Sequence, residues 1–358
     1  MTRRDLMLTA AAAGLAGCAT MGDRAKGTRP LVIAHRGASG ERPEHTLMSY
    51  ALAAEQGADF IEPDLVMTRD AVLVCRHENE ISETTDVAAR PEFRGRRTIK
   101  SIDGKFVTGW FTEDFTLAEL RTLRARERLP QVRPANTAFD GQQAVPTFEE
   151  VLGLAARASQ ERGRAVGVYP ELKHPTYFAA LGLPMEGALV TALERYGVNR
   201  ADAPVFVQCF EVAPLQALRR LTAAPLVQLV AREGGPFDRA ASGARYADML
   251  TPAGLAETAA YAQGLGAEKT LLIPRDGEGR SLAPTRLVTD AHAAGLKVHP
   301  WTFRSENQFL PLELRSGADP RDRGDYTAEY AAFFALGVDA VFSDHPADAL
   351  RTAAAFAR

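Results

Sequence analysis

Short, almost wholly apolar runs recur along this 358-residue chain, separated by alanine-rich stretches of helical composition. They are LVIAH (31–35), DFIEPDLVM (59–67), AVGVYPEL (165–172), PVFVQCF (204–210), PLVQLV (225–230), TLLIP (270–274), LKVHPWT (296–302) and VDAVFS (338–343). Runs without polar alternation suit parallel strands buried on both faces. Eight of them with helices between predict an α/β fold, a (β/α)8 barrel. Hydrophobic residues make up 46% of the chain, enough to fill such a core. A ninth run, AVLVC (71–75), follows the second after only a short turn around Arg69-Asp70. No crossover helix fits there, so this run returns antiparallel, as a hairpin extension of strand 2. Residues 78–145, rich in arginine, glycine and proline, read as an insertion over the barrel mouth. Within it Thr116 and Glu119 have the spacing of a capping box that opens a helix over LAELRTLRARER, and Thr147 and Glu150 repeat the signal where the barrel resumes.

The first 29 residues read as export signal and tether, and residues 30–350 as the barrel. MTRRDLMLTAAAAGLAGCAT carries two arginines, an apolar run too short to span a bilayer, and small residues ending at Cys18. It resembles a bacterial lipoprotein signal with Leu15-Ala16-Gly17-Cys18 as lipobox, and Thr2-Arg3-Arg4-Asp5-Leu6 resembles a twin-arginine motif. The expectation is export to the periplasm or cell envelope, with a lipid anchor on Cys18 as the only membrane element. A formal net charge of −3 gives no preference for nucleic acid. Three cysteines, at 18, 75 and 209, exclude a disulfide scaffold and match no zinc spacing.

In a barrel of this kind, chemistry sits at the C-terminal ends of the strands. Strand one ends in His35 and Arg36, which enter a loop with Gly37 and Gly40. Strand two holds Glu62 and Asp64, whose i, i+2 spacing puts both carboxylates on one face. The hairpin brings His77, strand three ends in Glu171 and Lys173, strand four near Gln208, and strand seven near His299 and Trp301. Three carboxylates converging at one mouth repel one another unless a cation neutralises them. Oxygen-only ligation suits a hard divalent ion, Ca²⁺ in the first place and Mg²⁺ as the alternative. Arg36 and Lys173 suit a phosphate-bearing substrate, and two histidines flanking the same point suit an acid–base pair near neutral pH. Together these parts describe metal-assisted cleavage of a phosphodiester. Trp301 is expected as a substrate-stacking wall, while His45 is expected to fix the loop before the first helix. His174, His292 and His345 read as surface or structural, Cys75 and Cys209 as buried hydrophobes, and the arginines of 90–97 and 121–128 as a solvated face.

HRGASGERPEHT, GADFIEPDLVMTRD, the following His77, YPELK, VQCF and VHPWT, in this order, resemble the glycerophosphodiester phosphodiesterase family, in particular its periplasmic, insertion-containing bacterial type. The resemblance runs from about residue 30 to 348, and TDVA and PTFEE match around the insertion. It implies His35 and His77 as the acid–base pair, Arg36 as phosphate contact, and Glu62, Asp64 and Glu171 as metal ligands. Lys173 falls where the family places a second cation, and Gln208 and Trp301 join it as substrate-binding residues. Glu78 stands where the family commonly has aspartate, and Pro63 separates two of the ligands. The implied substrates are small glycerophosphodiesters, hydrolysed to glycerol 3-phosphate and an alcohol through a cyclic phosphate. The alternatives are a barrel phospholipase acting on intact lipids, or a surface-binding lipoprotein without activity.

Overall fold

The computed structural model describes residues 29–357, so the expectations for the export signal and Cys18 lie outside the described residues. The barrel strands are β1 (Leu31–His35), β2 (Phe60–Glu62) and β3 (Asp64–Met67), followed by β4 (Leu73–Cys75) as the hairpin partner of β3. A separate antiparallel pair follows, β5 (Thr98–Ile102) and β6 (Lys105–Gly109). The barrel then continues with β7 (Gly167–Val168), β8 (Glu171–Leu172), β9 (Val207–Cys209), β10 (Leu226–Val230), β11 (Gly264–Ala267), β12 (Lys297–Val298) and β13 (Ala340–Ser343).

Parallel pairing runs β13-β1-β2-β7 on one arc and β12-β11-β10-β9-β8-β3 on the other. The arcs join because strands two and three are each broken by a proline, Pro63 and Pro170, which has no N–H to give to the ladder. At these breaks the neighbouring strand supplies the donors: Glu171 N–H donates to the Pro63 carbonyl at 2.9 Å, and Gln208 N–H to that of Pro170 at 2.9 Å. A parallel bridge between Phe303 and Ser343 closes the ring. With β2/β3 and β7/β8 each counted as one bent stave, eight parallel staves form the (β/α)8 barrel. Ile33, Phe60, Tyr169, Val227 and Phe342 pack together inside it.

The sixth stave differs from expectation. TLLIP is mostly the short helix Lys269–Leu272, and the strand is the preceding GLGA, β11. A Cβ on Gly266 would lie 2.4 Å from Leu229 Cδ2, so the neighbouring strand leaves no room for a side chain. The stave therefore lacks the β-branched signature by which strands are usually read.

Helix α1 (Leu47–Gln56) is capped by Thr46, whose hydroxyl accepts from Ser49 N–H. The capping boxes at Thr116 and Thr147 both form, and they open α2 (Leu117–Leu120) and α3 (Phe148–Arg162). α2 is a single turn rather than the twelve residues expected. Past it, the backbone is claimed by loop partners: Arg124 N–H donates to Asp86 and Ala125 N–H to the Gln143 carbonyl, both at 2.8 Å. Between residues 78 and 145 the chain is built from short 3₁₀ turns, the single-turn α2 and the β5–β6 hairpin. Arg133 anchors this segment to the barrel: its buried guanidinium donates to Glu306, Asp344 and the Ser39 carbonyl.

Candidate active site

Strand register carries the site. Along the ladders His35 is opposite Glu62, Asp64 is opposite Glu171, and Glu171 is opposite Gln208. Five polar side chains are thereby set at one level around the mouth. Beyond β4, Arg76 N–H donates to the Asp64 carbonyl at 3.0 Å, which brings His77 to the same rim. His35, Arg36, Glu62, His77, Glu171, Lys173, Gln208 and Trp301 all line a cleft of about 440 Å³.

The turn after β1 is left-handed at Arg36 (φ +59°) and Gly37 (φ +87°). A Cβ on Gly37 would meet Ser49 Oγ at 2.4 Å, so glycine is required there. The turn aims Arg36 N–H at Glu62 Oε2, 2.7 Å away, and sets the guanidinium 2.9 Å from Glu44 Oε2 and 3.3 Å from Asp64 Oδ2. Buried cost is more than offset by Glu44, Asp64 and Glu62, and the Arg36 pKa is driven up.

Glu62, Asp64 and Glu171 are all buried, and ligand atoms from the three lie within 4.8 Å of one another. Each is steered by a neighbour: Gln208 donates to Glu62 Oε1 at 3.1 Å, and His45 Nε2 lies 2.9 Å from Asp64 Oδ2. Lys173 Nζ lies 3.0 Å from Glu171 Oε1, yet off line, so that this buried oxygen has no hydrogen bond, and neither has Gln208 Oε1. Burial and mutual repulsion push Glu62 up, and burial pushes Glu171 up to about 8, with Asp64 adding to the shift and Lys173 opposing it. Asp64 goes the other way: burial is outweighed by Lys173 and His45, and its carboxyl is held well below the usual range. Crowded acid oxygens with one unsatisfied are what a hard cation would relieve. The donor set therefore fits a divalent metal.

The two histidines are held alike. His35 Nδ1 lies 2.6 Å from Asp344 Oδ1, and Asp344 Oδ2 accepts from Arg133 and Arg304, each at 2.7 Å. Arg304 and Arg133 outweigh burial and keep Asp344 ionised, so His35 donates from Nδ1 and leaves Nε2 bare toward the cleft. Burial, aided by Arg36 and opposed by Asp344, lowers His35 to about 4, so it is neutral at pH 7. His77 Nδ1 lies 2.9 Å from Glu78 Oε1, and its Nε2 is 3.4 Å from Lys173 Nζ. Its side chain is 31% exposed on the cleft side. Burial of the rest, with Arg36 and Lys173 nearby and Glu78 opposing, lowers its pKa as well.

Of the other residues singled out from the sequence, Trp301 lies on the cleft wall, its indole N–H donating to the Gly266 carbonyl at 2.9 Å and its ring edge-on to Phe210. His45 is fully buried between Tyr50 and Asp64. His299 is a core residue paired with the Tyr169 hydroxyl. His345 is buried, and His292 pairs at the surface with Asp339. The arginine-rich stretches are not uniformly solvated: Arg128 reaches Glu44 at 2.7 Å beside Arg36. Sequence reasoning missed Asp344, Glu44, Arg133 and Arg304. Asp344 directly follows β13, where the strand-end rule points; the other three come from loops with no periodic signal.

The model of the glycerophosphoryl diester phosphodiesterase family matches residues 35–348. A glycerophosphodiester phosphodiesterase of Arabidopsis thaliana is 36% identical over 329 residues, covering 88% of this chain and 84% of the relative. One from Haemophilus influenzae is 30% identical, over 86% of this chain and 89% of the relative. Among solved structures, an Oleispira antarctica phosphodiesterase in complex with the product sn-glycerol-3-phosphate superposes with a TM-score of 0.56. It covers 90% of this chain and 96% of its own, at 21% identity.

Proposed function

The chain belongs to the glycerophosphoryl diester phosphodiesterase family and is a hydrolase of that class, and from this premise we propose how its residues divide the work. The observation that carries the reading is the trio of buried carboxylates, two of which line the same cleft as two carboxylate-supported histidines. Glu62, Asp64 and Glu171 would hold one hard divalent cation, Ca²⁺ or Mg²⁺, since all three donors are oxygen. When bound, that cation supplies charge neutralisation and polarisation of the phosphate. Arg36 and Lys173 bind the phosphate oxygens, Trp301 stacks against the substrate, and Gln208 keeps Glu62 in place while its free oxygen faces the ligand.

His35, with Nε2 bare, accepts the proton of the substrate's glycerol 2-hydroxyl as that oxygen attacks phosphorus. His77 protonates the departing alcohol from Nε2. In the free protein burial, with Arg36 and Lys173 adding to it, keeps His77 neutral; an anionic phosphate between the two cations offsets their repulsion, and Glu78 stabilises the imidazolium. A five-membered cyclic phosphate results. The histidines then exchange roles: His77 takes a proton from water as it opens the ring, and His35 returns one to the 2-oxygen, leaving glycerol 3-phosphate. Release of glycerol 3-phosphate from glycerophosphocholine and glycerophosphoethanolamine, followed before and after chelation and re-addition of Ca²⁺ or Mg²⁺, tests this reading. Undiminished release in a thoroughly chelated sample would refute the metal.

We also propose that the protein is exported and anchored through lipidated Cys18, which the lipobox-like and twin-arginine-like segments support. Cys18→Ser is expected to move the protein from the membrane fraction to the soluble one. Unchanged fractionation would contradict the anchor.

A further inference from the structure

His77 does not end its hydrogen-bond chain at Glu78. The second oxygen, Glu78 Oε2, is 2.8 Å from His174 Nε2, and His174 Nδ1 is 2.6 Å from Asp103 Oδ2. Four side chains from three distant stretches thus stand in line: the end of the β3–β4 hairpin, the turn after Lys173, and the tip of the β5–β6 hairpin. Both outer members are set by unusual backbone. Asp103 (φ +48°) and Gly104 (φ +78°) form the tight left-handed turn of that hairpin, and His174 (φ +51°) is left-handed where the chain enters the helix Pro175–Ala180. Among the described residues, the side chains of Glu78, His174 and Asp103 make no hydrogen bond outside this line.

Glu78 is the weak member. Its side chain is 46% exposed, and it has one more rotatable bond than an aspartate would have. Left alone, such a carboxylate samples several rotamers and leaves His77 Nδ1 part of the time. A second hydrogen bond from His174, itself gripped by Asp103, removes that freedom. We propose that Asp103 and His174 are positioning residues for the acid step: together they hold Glu78 on His77, so that His77 presents its Nε2 proton to the leaving oxygen. With substrate bound and His77 protonated, the charges alternate along the line, imidazolium, carboxylate, imidazolium, carboxylate, which keeps each neighbouring pair attractive. His174 is suited to the cationic place; its hydrogen bonds to the two carboxylates outweigh burial and raise it to about 9. The groups that face His77 from the other side are Lys173 and, further off, Arg36 and Asp64. The tip of the β5–β6 hairpin thereby becomes part of the acid's support.

This inference rests on His77 being the acid, and the test separates the two. His174→Asn and Asp103→Asn both keep a residue that tolerates a left-handed backbone, while removing the link to Glu78 and the terminal charge respectively. Each variant and His77→Ala are followed through the first turnover, as release of choline from glycerophosphocholine, whose alkoxide needs a proton, and of nitrophenolate from the glycerophospho-nitrophenyl ester, which leaves without one; the later ring opening, in which His77 acts as base, does not enter this readout. The expected result is a fall in the saturating first-turnover rate of about tenfold or more on the choline ester for His174→Asn, less for Asp103→Asn, with the half-saturating concentration held, and less than about twofold on the nitrophenyl ester for both. His77→Ala shows the same split, larger. Equal losses on the two substrates in both variants, or no loss on the choline ester, overturn the inference while the split in His77→Ala stands. Absence of the split in His77→Ala overturns the acid assignment itself.

Discussion

His35→Ala is expected to lower kcat for glycerophosphodiesters by about 10²- to 10⁴-fold while KM changes by less than about threefold. The imidazole is placed to take a proton in the transition state and makes no contact that ground-state binding would need. Asp344→Asn is expected to give a loss of the same order, because the ring would lose the carboxylate that fixes Nδ1–H and leaves Nε2 as the base, as in other carboxylate–histidine pairs. The partners that sequence reasoning did not find make this prediction specific: Arg304 and Arg133, each at 2.7 Å, together with His35 outweigh burial and hold the Asp344 carboxyl below its usual range. Arg133→Gln should therefore act in the same direction through the pair, with His35 itself intact. Steady-state kinetics with circular dichroism to check folding decides the matter. A His35→Ala enzyme with kcat near that of the parent would remove His35 from the chemistry.

Glu62→Gln and Glu171→Gln are expected to lower divalent-metal affinity and rate together. Losing an outer-shell partner typically costs about 10–100-fold in affinity, and a direct ligand should cost at least that. The same changes should not weaken the folded, metal-free protein. Each removes, from a trio of crowded buried carboxylates, one whose pKa is already raised, so the neutral amide replaces a group that resists ionisation there. The melting temperature in chelator is thus expected to hold or rise, while calorimetric titration with Ca²⁺ and Mg²⁺ shows weakened binding. Loss of activity with metal affinity unchanged would mean the carboxylates serve some other end.

Much of the fold was legible because burial on both faces writes itself into a strand as an unbroken apolar run. Where that rule met its limit, the reading slipped. GLGA packs so closely against Leu229 at Gly266 that Leu265 is its one large side chain, and the adjacent TLLIP, richer in leucine, drew the assignment although it forms a helical turn. The residues that line the cleft were legible for a geometric reason: parallel register sets His35 beside Glu62 and Asp64 beside Glu171, so strand-end positions in sequence become neighbours in space. The supports behind them were not. Arg133, Glu44 and the Asp103–His174 pair reach the site from loops, whose approach depends on tertiary contacts that no local pattern records. The helix expected over 117–128 failed on the same ground, since its backbone groups found partners elsewhere in the segment.

The claim on which the account turns is that the substrate's own 2-hydroxyl, relieved of its proton by His35, attacks phosphorus. A glycerophosphocholine analogue lacking only that hydroxyl puts the claim to one measurement, the rate of choline release at saturating substrate and metal. The account predicts a fall of about 10³-fold or more, since an intramolecular nucleophile of high effective concentration is lost, with no comparable weakening of the analogue as a competitive inhibitor. Choline release at the normal rate would show that water attacks directly, and His35 would then have to be reassigned.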